Sequence, residues 1–182
     1  GAYHKAVVGK WDLGHAWRGY WPLARGFDAF RGFASASLTD WASHLIWEKP
    51  PVFDLQDGAS ANRAPADASA YSTELFARYA ADEVARAAAR GRRLYLHLAW
   101  NAIHSTPQLP ANATCCGDEP ADAELAALAR RAVADGGAAE RAAALGALLL
   151  VDRAVARVFG ELDARGMAES LVWIQTSDNG GD

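Results

Sequence analysis

Leu171-Val-Trp-Ile-Gln-Thr-Ser-Asp-Asn-Gly-Gly-Asp182 is the stretch on which the fold class turns. Residues 171–176 are a short apolar and β-branched run, the pattern expected of a strand buried on both faces of a parallel sheet. The run stops at Ser177-Asp178-Asn179-Gly180-Gly181. In an open parallel α/β sheet, ligands sit just past the carboxyl ends of strands, so chemistry is expected at such a turn. A carboxylate beside an amide carbonyl offers hard oxygen donors, which suit Ca²⁺ or Mg²⁺ rather than a thiophilic metal. Asn-Gly and Gly-Gly are also common turn dipeptides, so taken alone these residues read most simply as a surface turn. The segments upstream change that balance.

Residues 4–8 read as the end of a short strand, followed at once by Gly9-Lys10-Trp11-Asp12-Leu13-Gly14. Lys10 is then a cation just beyond a strand end, framed by glycines that let backbone approach a ligand, although a lone loop lysine is usually only solvated. Residues 94–99, Leu-Tyr-Leu-His-Leu-Ala, form the next expected strand. Leu94, Leu96 and Leu98 share one face and Tyr95 and His97 the other, which makes His97 an expected hydrogen-bonded core histidine. Trp100-Asn101-Ala102-Ile103-His104-Ser105-Thr106-Pro107 follows, placing His104 in the same kind of position as Lys10 and Asp178.

Between and after these strands the period changes to that of helices. Ser72 or Thr73 can cap a helix running to about Arg90, with Leu75, Phe76, Tyr79 and Val84 on one stripe and Gly91 ending it. An Ala-rich helix is expected near 122–134, broken at Gly136-Gly137. Another is expected over about 138–165, with Leu145, Leu148, Leu149, Val155, Val158 and Leu162 on its buried side and Gly166 as its stop. Residues 15–51 show no sustained period. Their Trp17, Tyr20, Trp21, Phe27, Phe30 and Phe33 are expected to pack an irregular region onto the domain, with a binding role for these aromatics as the lesser alternative. Residues 54–70 read as loop. Strand–helix–strand alternation of this kind predicts an α/β fold with a mostly parallel sheet flanked by helices.

Composition sets bounds. The 182 residues carry a net charge of −4, so nothing suggests nucleic acid or an anionic membrane surface. No apolar stretch reaches the length of a membrane span. The two cysteines, Cys115 and Cys116, are adjacent, which suggests free thiols or bonds to other segments rather than to each other. Asn112-Ala113-Thr114 is an N-glycosylation sequon, a modest pointer to a secretory route with Asn112 as acceptor. The first residue is Gly1 and a strand begins almost at once, so the chain is expected to be an internal stretch of a larger protein.

The three strand ends, Lys10, His104 and Asp178-Asn179, together offer a fixed cation, a proton donor or anion contact, and hard-metal ligands. Such a set suits an oxyanion ester whose bond to oxygen breaks under charge stabilisation. Phosphate and sulfate remain equally open on that ground.

Gly9-Lys10-Trp11-Asp12-Leu13-Gly14 resembles the sulfatase family. So do Pro22…Arg25-Gly26-Phe27-Asp28-Ala29-Phe30-Arg31-Gly32, Ala102-Ile103-His104-Ser105-Thr106-Pro107-Gln108-Leu109-Pro110, Val151-Asp152-Arg153-Ala154-Val155 and Thr176-Ser177-Asp178-Asn179-Gly180-Gly181. Their order and spacing are similar to the arylsulfatase B type and span nearly the whole chain. The resemblance implies an α/β domain of the alkaline-phosphatase type, here incomplete, in a secreted or lysosomal hydrolase of sulfate esters, often on sugars. It implies Ca²⁺ and a formylglycine made from Cys or Ser as cofactors, and a sulfated glycan as an expected partner. By this resemblance Lys10 contacts the sulfate, His104 contacts it and assists the leaving group, and Asp178 and Asn179 are Ca²⁺ ligands.

The chain also departs from the family. The nucleophile motif Cys-x-Pro-Ser-Arg and the paired N-terminal aspartates are absent from these residues, and Cys115-Cys116-Gly117 does not fit the motif. A Lys that follows the Asp-Asn turn in the family is missing too. Asp12 stands at a catalytic position where the family has His, in Gly-Lys-Trp-His-Leu-Gly. Two alternatives therefore stand beside the hydrolase: a non-catalytic homologue that binds a sulfated glycan or a protein partner, and a related phosphoesterase.

Overall fold

In the computed structural model, which describes residues 1–46, 50, 52–57, 70–105, 107–110, 123, 127 and 139–177, strand β1 (Tyr3–Lys10) is the middle of the architecture. It pairs in parallel with β2 (Ala29–Phe33) on one side and with β6 (Arg93–Ala99) on the other. The short β5 (Gln56–Asp57) runs antiparallel along the outer edge of β2, giving the order β5-β2-β1-β6. Two further short strands, β3 (Leu45–Ile46) and β4 (Val52–Phe53), make a separate antiparallel pair. The sheet is mostly parallel and helices cover one face, as expected of an α/β fold.

The strand β2 lies inside the region that reads as irregular, and its sequence explains why. Phe30-Arg31-Gly32 places a charge and a glycine where a central strand ordinarily shows β-branched residues. Gly32 faces Gly9 across the ladder, and a Cβ built on Gly32 would stand 2.0 Å from the Gly9 carbonyl oxygen. Gly9 itself takes φ 96°, and a Cβ there would meet the Ala99 carbonyl oxygen at 1.9 Å. The three central strands are thus pinched together near their carboxyl ends, where any side chain would force them apart. Arg31 is buried between an aromatic ring and two carboxylates. Its guanidinium lies 3.6 Å from the centre of the Tyr79 ring, with Asp57 at 2.9 Å and Asp82 at 2.7 Å. Desolvation opposes its charge, but the hydrogen bond it donates to Asp82 and the charges of the two carboxylates outweigh that cost and hold its pKa above the ordinary value.

One face of the sheet is covered by α1 (Ser72–Ala89) and α2 (Ala139–Ala164), which pack against each other. Val8 and Phe33 meet Leu75, Phe76 and Leu150 there, and Phe33 lies nearly parallel to Phe76. Toward the helix ends, Ala80, Val84, Val158 and Leu162 form a second cluster beneath Leu94, Leu96 and Leu98. The other face is covered by the chain between β1 and β2, where Val7, Trp11 and Phe30 are buried under Trp21, Leu23 and Phe27. Trp17 and Tyr20 do not join them: they stay 65% and 44% exposed.

Other expectations are corrected in detail. The residue before α1 is Tyr71, with no side-chain cap, while Ser72 and Thr73 are buried in the first turn. The buried stripe of α2 runs through Ala147, Leu150, Ala154, Val158 and Leu162, leaving Leu145 and Leu148 exposed. Small alanines let α1 and α2 approach, so the stripe follows size as well as hydropathy. Both helices stop at glycines in the left-handed region, Gly91 at φ 58° and Gly166 at φ 65°. The helix expected near 122–134 lies almost wholly outside the described residues.

Two corrections touch the site. His97 is exposed on the open face of β6 and is no core histidine. Residues 171–176 pair with no strand among the described residues, and Val172 and Ile174 are 82% and 80% exposed. Leu171 joins the Leu94–Leu98 cluster and Trp173 rests on Phe159, 4.9 Å between ring centres, before the chain leaves the core. An apolar β-branched run becomes a strand only where a free edge lies in register with it, and local pattern cannot supply that edge.

At the amino end of the sheet, buried His4 hydrogen-bonds through Nε2 to buried Glu83 at 2.7 Å, tying β1 to α1. Arg86 donates to the other Glu83 oxygen at 2.6 Å, and Asp28 lies 3.9 Å from His4 Nδ1.

Candidate functional site

Because β1 and β6 are parallel, their carboxyl ends lie side by side and both open on one edge of the sheet. Gly9 faces Ala99 at the last rung, so Lys10 and the residues after Ala99 leave the sheet together. Lys10 therefore ends β1 at that edge, and His104 follows five residues after the end of β6.

Lys10 is the last residue of β1, and its ammonium lies 3.6 Å from Asp12 Oδ2. Asp12 takes φ 49°, a left-handed conformation that Asp tolerates better than most residues. Trp11 fixes the turn between them. Its backbone N–H donates to the Phe33 carbonyl at 3.0 Å and its indole Nε1–H to the Tyr20 carbonyl at 3.0 Å.

His104 follows a tight turn in which its N–H donates to the Asn101 carbonyl at 3.0 Å. Its Nδ1 lies 2.7 Å from the Ser105 carbonyl oxygen. A carbonyl only accepts, so Nδ1 carries the proton and Nε2 is the atom left for a ligand. Toward an anion, Nε2 can donate only as imidazolium; toward a hydroxyl it can accept as the neutral ring. Gln108 then clamps the outgoing chain. It accepts from the Trp41 N–H at 3.0 Å, donates to the Thr39 carbonyl at 2.8 Å, and receives the Tyr71 hydroxyl on its backbone oxygen at 2.8 Å.

Two polar residues at this edge are not singled out by sequence reasoning. Asn101 is only 4% exposed, and neither atom of its side-chain amide has a hydrogen-bond partner among the described residues. Its only sequence signal is its place two residues past β6. Asp54 is also buried, but its carboxylate is used by the backbone: the Ala34 and Ser35 N–H groups donate to it at 3.1 and 2.9 Å. It is a structural anchor for the chain leaving β2. A hollow of about 420 Å³ lies elsewhere, on the helix face, lined by Arg31, Arg78, Asp82, Arg157 and Arg165. Arg31 and Arg165 are already paired there with carboxylates, so the hollow is lined by an ion network.

Asp178, Asn179, the sequon at Asn112 and the cysteines lie outside the described residues. Among the described residues no group of three or more His, Cys, Asp or Glu side chains could hold a metal ion. Asp12, the carboxylate next to Lys10, is held by a cation and is a poor candidate for a second. No described helix is long and apolar enough to cross a membrane.

Comparison with known proteins fits this geometry. The sulfatase family model matches residues 2–182, and the chain belongs to that family. It is 31% identical over 110 residues to arylsulfatase J of Mus musculus, a match covering 59% of this chain and 18% of that protein. Among solved structures it is similar to Ps i-CgsB in complex with k-i-k-neocarrahexaose, with a TM-score of 0.68 and 20% identity over 91% of this chain. It is also similar to Ps i-CgsB in another crystal structure, with a TM-score of 0.62 and 18% identity. The chain covers 34% of each of those chains, so it spans about a third of the structural relatives and less than a fifth of arylsulfatase J. The fold is thereby that of an α/β sulfatase-type sheet.

Proposed function

We propose that the protein carrying this chain hydrolyses sulfate esters, and that this chain supplies part of its oxyanion site. What supports the reading is that β1, ending at Lys10, and β6, ending five residues before His104, are parallel neighbours whose carboxyl ends open on one edge of the sheet. Lys10 would hold the sulfate as a fixed charge. His104, with Nδ1 anchored on a carbonyl, would present Nε2 to the sulfate or to the leaving oxygen. A fixed cation and an oriented imidazole stabilise the charge that develops as the ester bond to oxygen breaks.

Asp178 and Asn179 would provide hard oxygen ligands to Ca²⁺, which supplies further charge stabilisation when bound. The nucleophile, a formylglycine in the family, would come from outside these 182 residues, since Cys115-Cys116-Gly117 does not carry the motif. The isolated chain is therefore expected to turn over no ester and to bind Ca²⁺ only weakly. A sugar sulfate is the favoured substrate: one structural relative was solved in complex with a hexaose. Secretion or lysosomal delivery goes with that substrate and with the Asn112 sequon.

A second reading is favoured by one contact. Asp12 sits beside Lys10, so the cation is already partly neutralised, as suits a homologue that binds a sulfated ligand without cleaving it. Assay of the full-length protein on an aryl sulfate and an aryl phosphate decides between these readings. Turnover of the sulfate supports the hydrolase, turnover of the phosphate alone points to a phosphoesterase, and tight binding of a sulfated oligosaccharide without turnover supports the binding homologue.

A further inference from the structure

The segment joining β1 to β2 carries a feature that packing does not use. Trp17 is 65% exposed, yet its ring is held in place. A Cβ built on Gly19 would stand 2.0 Å from one ring carbon of Trp17 and 2.4 Å from another, so the indole lies directly against the Gly19 backbone. Tyr20 packs edge-on against the same ring at 5.4 Å and is itself 44% exposed. Gly14 closes the other side of Tyr20: a Cβ there would meet the Tyr20 side chain at 3.2 Å. The Tyr20 carbonyl in turn receives the Trp11 indole N–H, next in sequence to Lys10. A large exposed aromatic seated against backbone on one side and against a ring on its edge presents its free face already in place, which lowers the cost of stacking a ligand on it.

The charges around it select the ligand. Residues 15–26, His-Ala-Trp-Arg-Gly-Tyr-Trp-Pro-Leu-Ala-Arg-Gly, contain Arg18, Arg25 and His15 and no acidic residue. Arg18 and Arg25 are exposed, and the Arg25 guanidinium lies 6.0 Å from the centre of the Tyr20 ring and 5.7 Å from that of Trp11. A flat apolar platform bordered by cations fits a ring with an apolar face and several anionic substituents. A singly substituted aryl sulfate would leave most of these cations without a partner.

We infer that Trp17 and Tyr20, with Arg18 and Arg25, form a subsite for a pyranose ring of a multiply sulfated oligosaccharide, beyond the group held by Lys10. The inference deepens the hydrolase reading by naming where the rest of the substrate lies, and its test is made on binding.

The test is calorimetric titration of the full-length protein with a sulfated galactan hexasaccharide, its desulfated counterpart and a monocyclic aryl sulfate. Trp17→Ala should weaken hexasaccharide binding by about fivefold, within the range an aromatic contact supplies, and Trp17→Phe should retain most of it. The desulfated hexasaccharide should bind more weakly than the sulfated one to wild type. Hexasaccharide binding by Trp17→Ala equal to that of wild type overturns the subsite. So does a loss of binding accompanied by a lowered thermal midpoint, which would make Trp17 a packing residue. An aryl sulfate that depends on Trp17 more strongly than the hexasaccharide does would overturn the choice of a sugar. Wild-type protein that binds the hexasaccharide through Trp17 but cleaves no sulfate ester would overturn the hydrolase reading and leave the subsite standing.

Discussion

The Lys10 ammonium and the Asp12 carboxylate face each other at 3.6 Å across a turn that Asp12 enters with φ 49°. The family pattern has His at this position, and His tolerates the left-handed region about as well as Asp does. Replacement should therefore leave the turn intact and change only the charge beside Lys10. In the full-length protein, Asp12→His is expected to raise kcat/KM on an aryl sulfate. One recovered charge-assisted contact contributes roughly 1.5–3 kcal/mol, about tenfold or more in rate. Equal rates at matched formylglycine content would place Asp12 outside the site, and a slower variant would give Asp12 a positive role.

The pair formed by His4 and Glu83 makes a prediction about stability. Both side chains are buried and hydrogen-bonded at 2.7 Å between β1 and α1. Removing either partner leaves a buried polar atom of the other without this hydrogen bond, although Glu83 keeps Arg86, at a cost of about 1–3 kcal/mol. His4→Leu and Glu83→Leu should each lower the urea midpoint sharply, and the double variant should lose much less than the sum. Additive losses would show that the two side chains do not act as a pair.

Two carboxylates set an acid limit. Asp40 is held below its ordinary pKa chiefly by the Ser43 backbone N–H, with help from Ala42 and against its own desolvation. Asp28 is lowered mainly by the Lys5 backbone N–H, then by the charges of Arg92, Lys5 and His4. A folded-state pKa below the unfolded value, near 3.9, means stabilisation that is present above that pH and fades as pH falls through the folded values. Asp40→Asn and Asp28→Asn should be less stable than wild type near neutrality and should converge with it toward acid. A stability difference that stays constant from neutral pH into the acid range would refute the assignment.

These particulars show what the sequence discloses and what it hides. The strand that ends at Lys10 and the one that precedes the His104 turn were legible because β1, β6 and α1 have strong periods. The strand β2 was hidden because Gly32 and Arg31 violate strand propensity for tertiary reasons: the approach of Gly9 and the Tyr79–Asp57–Asp82 cage. Residues 171–176 misled in the opposite sense, since their pattern is that of a strand and none of the described strands lies against them. Trp17 and Tyr20 looked like core. Nothing local distinguishes an aromatic that fills a core from one that lies on a glycine backbone facing solvent.

The most direct test of the account is kcat/KM of the full-length protein on an aryl sulfate with Lys10→Ala, His104→Ala and both. If the two residues serve one oxyanion site at the shared edge of β1 and β6, each single variant should lose about 10²–10³-fold, and the double should lose clearly less than the product. Lys10→Ala remaining within about twofold of wild type, or losses that multiply fully, would contradict a common site.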